Sequence, residues 1–135
     1  MKGYKFIEHT ADVGIEIYGD SLINLLENAT IAFFDAFVFL DKIKESKSID
    51  IVVKADSEDY LLYKWLNELL YLLNVEYFAA KNVKVEINDL TAKGRLKGDS
   101  VYPEIIKTEP KAITFHKFKV EKKNDKWFAF VIIDI

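Results

Sequence analysis

The sequence predicts an α+β fold in which two helices pack on a largely antiparallel sheet of about six strands. Three observations carry that prediction. Two long segments repeat their apolar residues every 3.6 positions, as one-sided helices do. The second half of the chain instead alternates apolar and polar residues with the period of strands. The order is strand, helix, strand, helix and then at least four strands, with no repeat and no Pro-, Gly- or Ser-rich linker, so residues 1–135 read as one domain.

The first strand is expected where Val13, Ile15 and Ile17 alternate with Gly14, Glu16 and Tyr18. Gly19-Asp20-Ser21 breaks it, and Asp20 or Ser21 can cap the helix that follows by accepting from a free first-turn N–H. That helix carries Leu22, Leu25, Leu26, Ala29, Ala32, Phe33, Ala36 and Phe37 on one face and should end near Phe39. A second strand runs around Ile49 to Val53. Asp56-Ser57-Glu58-Asp59 opens the second helix, with negative charge at its positive end. Its stripe is Leu61, Leu62, Trp65, Leu66, Leu69, Leu70 and Leu73, widened by Tyr60, Tyr63 and Tyr71, which predicts burial over most of its circumference.

Val83, Val85 and Ile87, then Leu90, Ala92, Gly94 and Leu96, mark two strands joined at Asn88-Asp89, residues that tolerate the positive φ of a tight hairpin. Pro103 and Pro110 bracket an irregular segment. Ile113 and Phe115 lie at odd positions and Phe118 and Val120 at even ones, a phase change that predicts a β-bulge or a strand covered on both faces. Lys122 to Lys126 is a polar turn. Trp127 to Ile133 is apolar throughout, as in a central strand buried on both faces.

Composition limits function. Half of the 135 residues are apolar and the net charge is -3, so the chain can bury a core and does not read as disordered. No apolar run reaches the roughly 18 residues of a membrane span, and the N-terminus lacks the apolar stretch of a signal peptide. A soluble, cytoplasmic protein is expected. With no cysteine, thiolate metal sites, disulfides and cysteine nucleophiles are excluded. The pI of 5.4 and the single arginine, Arg95, argue against autonomous nucleic-acid binding. No phosphate-cradling Gly-rich loop and no nucleophile elbow is present. Trp65, Tyr71, Phe33 and Phe34 sit at helical spacing and read as core.

Phe6-Ile7-Glu8-His9-Thr10-Ala11-Asp12-Val13-Gly14 resembles the opening of the archease family. The resemblance continues through Tyr63-Lys64-Trp65-Leu66-Asn67-Glu68-Leu69-Leu70-Tyr71 and Glu109-Pro110-Lys111-Ala112-Ile113-Thr114-Phe115-His116. It closes with Val131-Ile132-Ile133-Asp134-Ile135. The first and last blocks are the specific ones. Pro110 and Phe115 depart from the pattern without touching the candidate ligands. The resemblance implies a fold with a strand-helix-strand-strand module. It also implies a non-catalytic cofactor protein that activates the RtcB-type RNA ligase of tRNA splicing and RNA repair, promoting guanylylation of the ligase and multiple turnover. A bound divalent cation, usually Ca²⁺, comes with it.

The candidate site is Asp12, Asp134 and the Ile135 carboxylate. If their strands are neighbours, three carboxylates meet at one end of the sheet and repel one another unless a cation intervenes. All-oxygen ligation suits Ca²⁺ or Mg²⁺ better than Zn²⁺. On spacing alone Asp134 reads more simply as the polar end of a strand with a frayed terminus; the resemblance is what favours ligation. His9 and His116, the only histidines, are either structural, outer partners of the carboxylates or partner-facing. Lys111 is either an exposed charge or a contact to ligase or phosphate. Two other function classes stay open: a metal-dependent hydrolase of a small phosphorylated or nucleotide substrate, for which the ligands look too few, and a general chaperone or adaptor.

Overall fold

The computed structural model describes residues 3–8 and 10–135. Among these residues are two α-helices, two short 3-10 turns and seven strands, all strand pairings antiparallel. The strands are β1 (Tyr4–Glu8), β2 (Asp12–Gly19), β3 (Lys47–Lys54), β4 (Phe78–Asn88), β5 (Thr91–Ser100), β6 (Ala112–Lys123) and β7 (Lys126–Asp134). The helices are α1 (Leu22–Phe37) and α2 (Glu58–Asn74). The α+β class is as the sequence predicts. The strands, however, divide between two sheets, ordered β1-β2-β7-β6 and β3-β5-β4, where one sheet of about six strands was expected.

The three-stranded sheet is the strand-helix-strand-strand module, since β3, α2, β4 and β5 follow one another in the chain. The helices lie between the sheets. On one side α1 packs on β1, β2 and β7 while α2 packs on β6; on the other α1 packs on β4 while α2 packs on β3 and β4. The result is three layers around one apolar cluster. Val13, Ile15 and Ile17 of β2 and Ala129, Val131 and Ile133 of β7 face inward, as do Ile51 and Val53 of β3 and Ala92 and Leu96 of β5.

Helix α1 begins where expected, with Ser21 Oγ accepting from the Asn24 N–H at 3.0 Å. It stops at Phe37, because Val38 turns extended and bridges Ile106. In α2 the N-cap is Ser57. The stripe is narrower than predicted: Tyr60 and Tyr71 are about half exposed, and Leu72 is buried in their stead. Trp65 is at the centre of the helix layer, wholly buried. Its indole N–H donates to Thr30 Oγ1 at 2.8 Å, and that hydroxyl donates to the Leu26 carbonyl at 2.7 Å. The indole lies on Gly94 of β5, where an added Cβ would come within 2.6 Å of the ring, so only glycine admits this contact.

Strand boundaries differ from the reading in a few places. β1 precedes the strand taken as first. β4 starts at Phe78, five residues earlier than Val83. The β4–β5 turn is Asp89-Leu90, both at positive φ, one residue beyond Asn88-Asp89. Asn88 instead closes the ladder opposite Thr91. The phase change in β6 is a bulge: pairing with β7 jumps from Thr114 to Lys119. β7 is central, between β2 and β6, but only alternate residues are fully buried. Phe128, Phe130 and Ile132 are half-buried on the outer face, because the helices cover only the inner face of this sheet. Among the described residues no helix is long and apolar enough to cross a membrane.

Candidate metal centre

The inward set of β2 decides where Asp12 lies. Val13, Ile15 and Ile17 must face the helices, so Asp12, one residue before Val13, faces away from the core at the end of the strand. The same holds for Asp134, one residue past the buried Ile133. The β2–β7 register pairs Asp12 with Asp134 directly. Directly opposed residues in an antiparallel pair share a face, with Cβ atoms roughly 5 Å apart. The two carboxylates are therefore neighbours on the outer face, Asp12 half-buried and Asp134 exposed.

The chain end is held on both sides. The Lys111 N–H donates to the Asp134 carbonyl at 2.7 Å, from the β6 side. The Ile135 N–H donates to the Ala11 carbonyl at 3.1 Å, from the β2 side. Ile135 is half-buried against the apolar cluster. These bonds carry the backbone in order through residue 135, beside the loop that leads into Asp12, rather than leaving it frayed. On β6, Ala112 is the residue opposite Asp134 and brings no polar side chain to the site.

The remaining candidates lie elsewhere. The exposed Lys111 side chain borders a cleft of about 340 Å³ lined also by Asn74, Tyr77, Thr108 and Glu109; its backbone is what touches the site. His116 is exposed in the β6 bulge, four residues beyond Ala112, beside Lys117 at φ 59°. His9 lies outside the described residues. Among the described residues no three His, Cys, Asp or Glu side chains converge; Asp12 and Asp134 form a pair beside the chain end.

Further along the same face Glu16 accepts from the Tyr18 hydroxyl at 3.0 Å. Partial burial, and then this bond, hold the Tyr18 phenol above its ordinary pKa. Two features escaped the sequence reading. One is the Ala11 carbonyl as the anchor for Ile135, which no side-chain pattern signals. The other is a surface cluster of rings, Tyr60, Tyr63, Phe115 and Phe118, centred on Phe115 with centroids 4.4 Å from Tyr63 and 5.1 Å from Phe118. The phase change at Phe115–Phe118 was its signal.

Chemically, adjacent aspartates on a rigid pair of strands supply hard oxygen donors and no nitrogen or sulfur. That donor set fits a hard divalent cation, which favours oxygen and tolerates partial exposure. Bound through one oxygen each, three carboxylates would fill about half of the six to eight positions that Ca²⁺ takes, leaving the rest to water, carbonyls or a second molecule.

The chain resembles known proteins over its whole length. A curated protein archease from Archaeoglobus fulgidus is 47% identical over 135 residues, covering 98% of each chain. One from Pyrococcus furiosus is 39% identical over 142 residues, covering 100% of each. The solution structure of Methanobacterium thermoautotrophicum protein 1598 superimposes with a TM-score of 0.79 at 27% identity, covering 100% of both chains. The crystal structure of an archease from Thermotoga maritima, described as a possible chaperone, has the same fold, with a TM-score of 0.68 at 23% identity over 97% of this chain and 96% of that one. The profile of the Archease protein family matches residues 4–135, and the chain belongs to that family.

Proposed function

We propose that this protein is a non-catalytic activator of an RtcB-type RNA ligase, and that it works from the end of the sheet where Asp12 meets Asp134. The observation that carries the reading is the pairing of those two aspartates beside an anchored chain end, in a member of the archease family. Asp12, Asp134 and the Ile135 carboxylate would hold a divalent cation, Ca²⁺ being the best match for donors of this kind. When bound, the ion neutralises the clustered charge and offers open coordination positions to the ligase or its nucleotide. The chain's own contribution is positional: the β2–β7 ladder fixes two ligands, and the Ala11 and Lys111 bonds fix the third. Lys111 and the exposed His116 would face the ligase.

The test is to mix the protein with an RtcB-type ligase from the same source, GTP and a divalent ion. Guanylylated ligase and turnovers per ligase are then measured. Both should rise, and both should fall back with Asp12→Ala. No rise in either sinks the reading.

A chaperone or adaptor role has one observation in its favour: Tyr60, Phe115, Tyr71, Tyr77 and Tyr102 are all about half exposed or more. Such a protein would suppress aggregation of many unrelated unfolded clients, whereas an activator would engage one ligase.

A further inference from the structure

The two sheets have four edges, and three are blunted in ways that prevent a further strand from pairing. β4 has a bulge between Ala80 and Asn82, and the Val85 N–H on its free side is taken by the Glu27 carboxylate at 3.0 Å. β6 carries the long bulge between Thr114 and Lys119. β1 is five residues long. β3 differs: eight residues in unbroken register with β5, no bulge, Val52 60% exposed, and on its free side one side-chain bond, Lys64 Nζ to the Lys54 carbonyl, an acceptor whose second lone pair can still take a backbone N–H.

Two hydrogen bonds establish which backbone groups face the open side of β3. The Ala55 N–H donates inward to the Leu90 carbonyl at 3.1 Å, and the Lys54 carbonyl accepts from Lys64 Nζ at 3.1 Å on the side away from β5. Backbone direction alternates along an antiparallel strand, so Ser48, Asp50, Val52 and Lys54 turn their N–H and C=O outward. Among the described residues nothing bonds those groups at Asp50 or Val52. An open groove runs beside them, lined by Val52, Lys54, Tyr63, Lys64 and Asn67.

We propose that β3 is a self-association edge, paired antiparallel with β3 of a second copy about a two-fold axis at Val52. Unpaired alternating donors and acceptors call for another extended backbone, and the charges of this edge select its own sequence. With Val52 opposite Val52 of the second copy, Asp50 of each chain lies directly across from Lys54 of the other. Moving the axis two residues sets Asp50 against Asp50 or Lys54 against Lys54. Moving it one residue sets a charge against Val52. Only the Val52-centred register joins opposite charges and covers the exposed valine, and a two-fold contact of this kind closes on itself. Asp50 is already held in place by Arg95, at 2.9 and 3.1 Å, whereas Lys54 has no ion pair among the described residues.

The helices leave room. Trp65 seats α2 over Gly94 of β5, one strand in from the edge. The two copies of α2 would then stand three strand spacings apart, about 14 Å, against the 8–10 Å or so that packed helices need. The assembly is a continuous six-stranded sheet. It leaves the Asp12–Asp134 end, which belongs to the other sheet, outside the contact, and it does not depend on the ligase reading.

Sedimentation equilibrium from micromolar to millimolar protein tests this. The wild type should pass from monomer to dimer, and Asp50→Lys and Lys54→Asp should each weaken the dimer at least tenfold by placing like charges across both ends. An equimolar mixture of the two variants should recover dimer as a heterodimer, since lysines of one then face aspartates of the other. That recovery also shows that both variants are folded. A wild type that stays monomeric to millimolar overturns the proposal, as does a single variant that dimerises like the wild type, or a mixture that recovers nothing.

Discussion

Thr30→Val tests the account of the buried helix layer. Valine matches threonine in shape, so the substitution removes a hydroxyl without opening a cavity. That hydroxyl is the only partner of the Trp65 indole N–H among the described residues, in a side chain with no exposed surface. The Leu26 carbonyl loses a second bond that it can do without, because it still accepts within the helix. The indole N–H is left buried and unpaired, a loss of about 1–3 kcal/mol. Thr30→Ser keeps the hydroxyl and loses one methyl, about 0.8 kcal/mol. For a chain of this length each kcal/mol moves Tm by roughly 3–5 °C, so Thr30→Val should melt about 6–10 °C lower for a mid-range loss of about 2 kcal/mol. Urea unfolding should rank the variants wild type, then Ser, then Val. In a Thr30→Val/Trp65→Phe double variant the loss should be less than additive, because the orphaned donor is gone with the indole. A Thr30→Val protein within about 0.5 kcal/mol of wild type, or more stable than Thr30→Ser, would refute the reasoning.

Other outcomes follow from named contacts. Asn124-Asp125 turns the β6–β7 hairpin with both residues at positive φ, so Asp125→Gly should stabilise the protein by up to about 1 kcal/mol in urea titration; a loss would mean the side chain of Asp125 has a role the turn does not explain. Burial, then the 2.7 Å bond to Asp35, raises the Tyr4 phenol pKa. The folded value lies above the unfolded value of about 10, so this stabilisation is complete below about pH 10 and is lost as pH rises beyond it. The stability difference between wild type and Tyr4→Phe should therefore be constant at neutral pH and shrink above about pH 10; a constant difference to higher pH contradicts the assignment. If Asp12, Asp134 and the Ile135 carboxylate hold Ca²⁺, Asp12→Ala and a short extension after Ile135 should each weaken binding in calorimetric titration while leaving Tm in chelator nearly unchanged. An extension with unaltered affinity removes Ile135 from the site.

Helices were the most legible part of the chain, because a 3.6-residue stripe and a Ser cap leave few alternatives. Ser21 and Ser57 cap where their position before the apolar run places them. The widened stripe of α2 misled for a related reason. Tyr60 and Tyr71 have the right spacing for burial, but sheets cover the helix on only part of its circumference. β1 was missed because its residues were read as part of a motif, and Phe78–Asn82 because its pattern lacks alternation where the β4 bulge interrupts the pleat. The bulge in β6 was legible, since a shift from odd to even apolar positions has few other physical causes. That Asp12 and Asp134 lie at strand ends was also legible; that they meet at one end of the sheet was conditional on the strands being neighbours, which the register supplies.

The sequence by itself determined the α+β class, the helix starts, the polarity of each strand end and the family to which the chain belongs. Those properties are local, written in spacing and side-chain chemistry within one segment. The tertiary structure alone decided that the strands split into two sheets with the helices between them, that Asp12 faces Asp134, that Ala11 and Lys111 clasp the chain end, and that β3 is left open. Each of these depends on backbone pairing between segments distant in the chain. Such pairing engages N–H and C=O groups that every non-proline residue carries, so no residue type announces it.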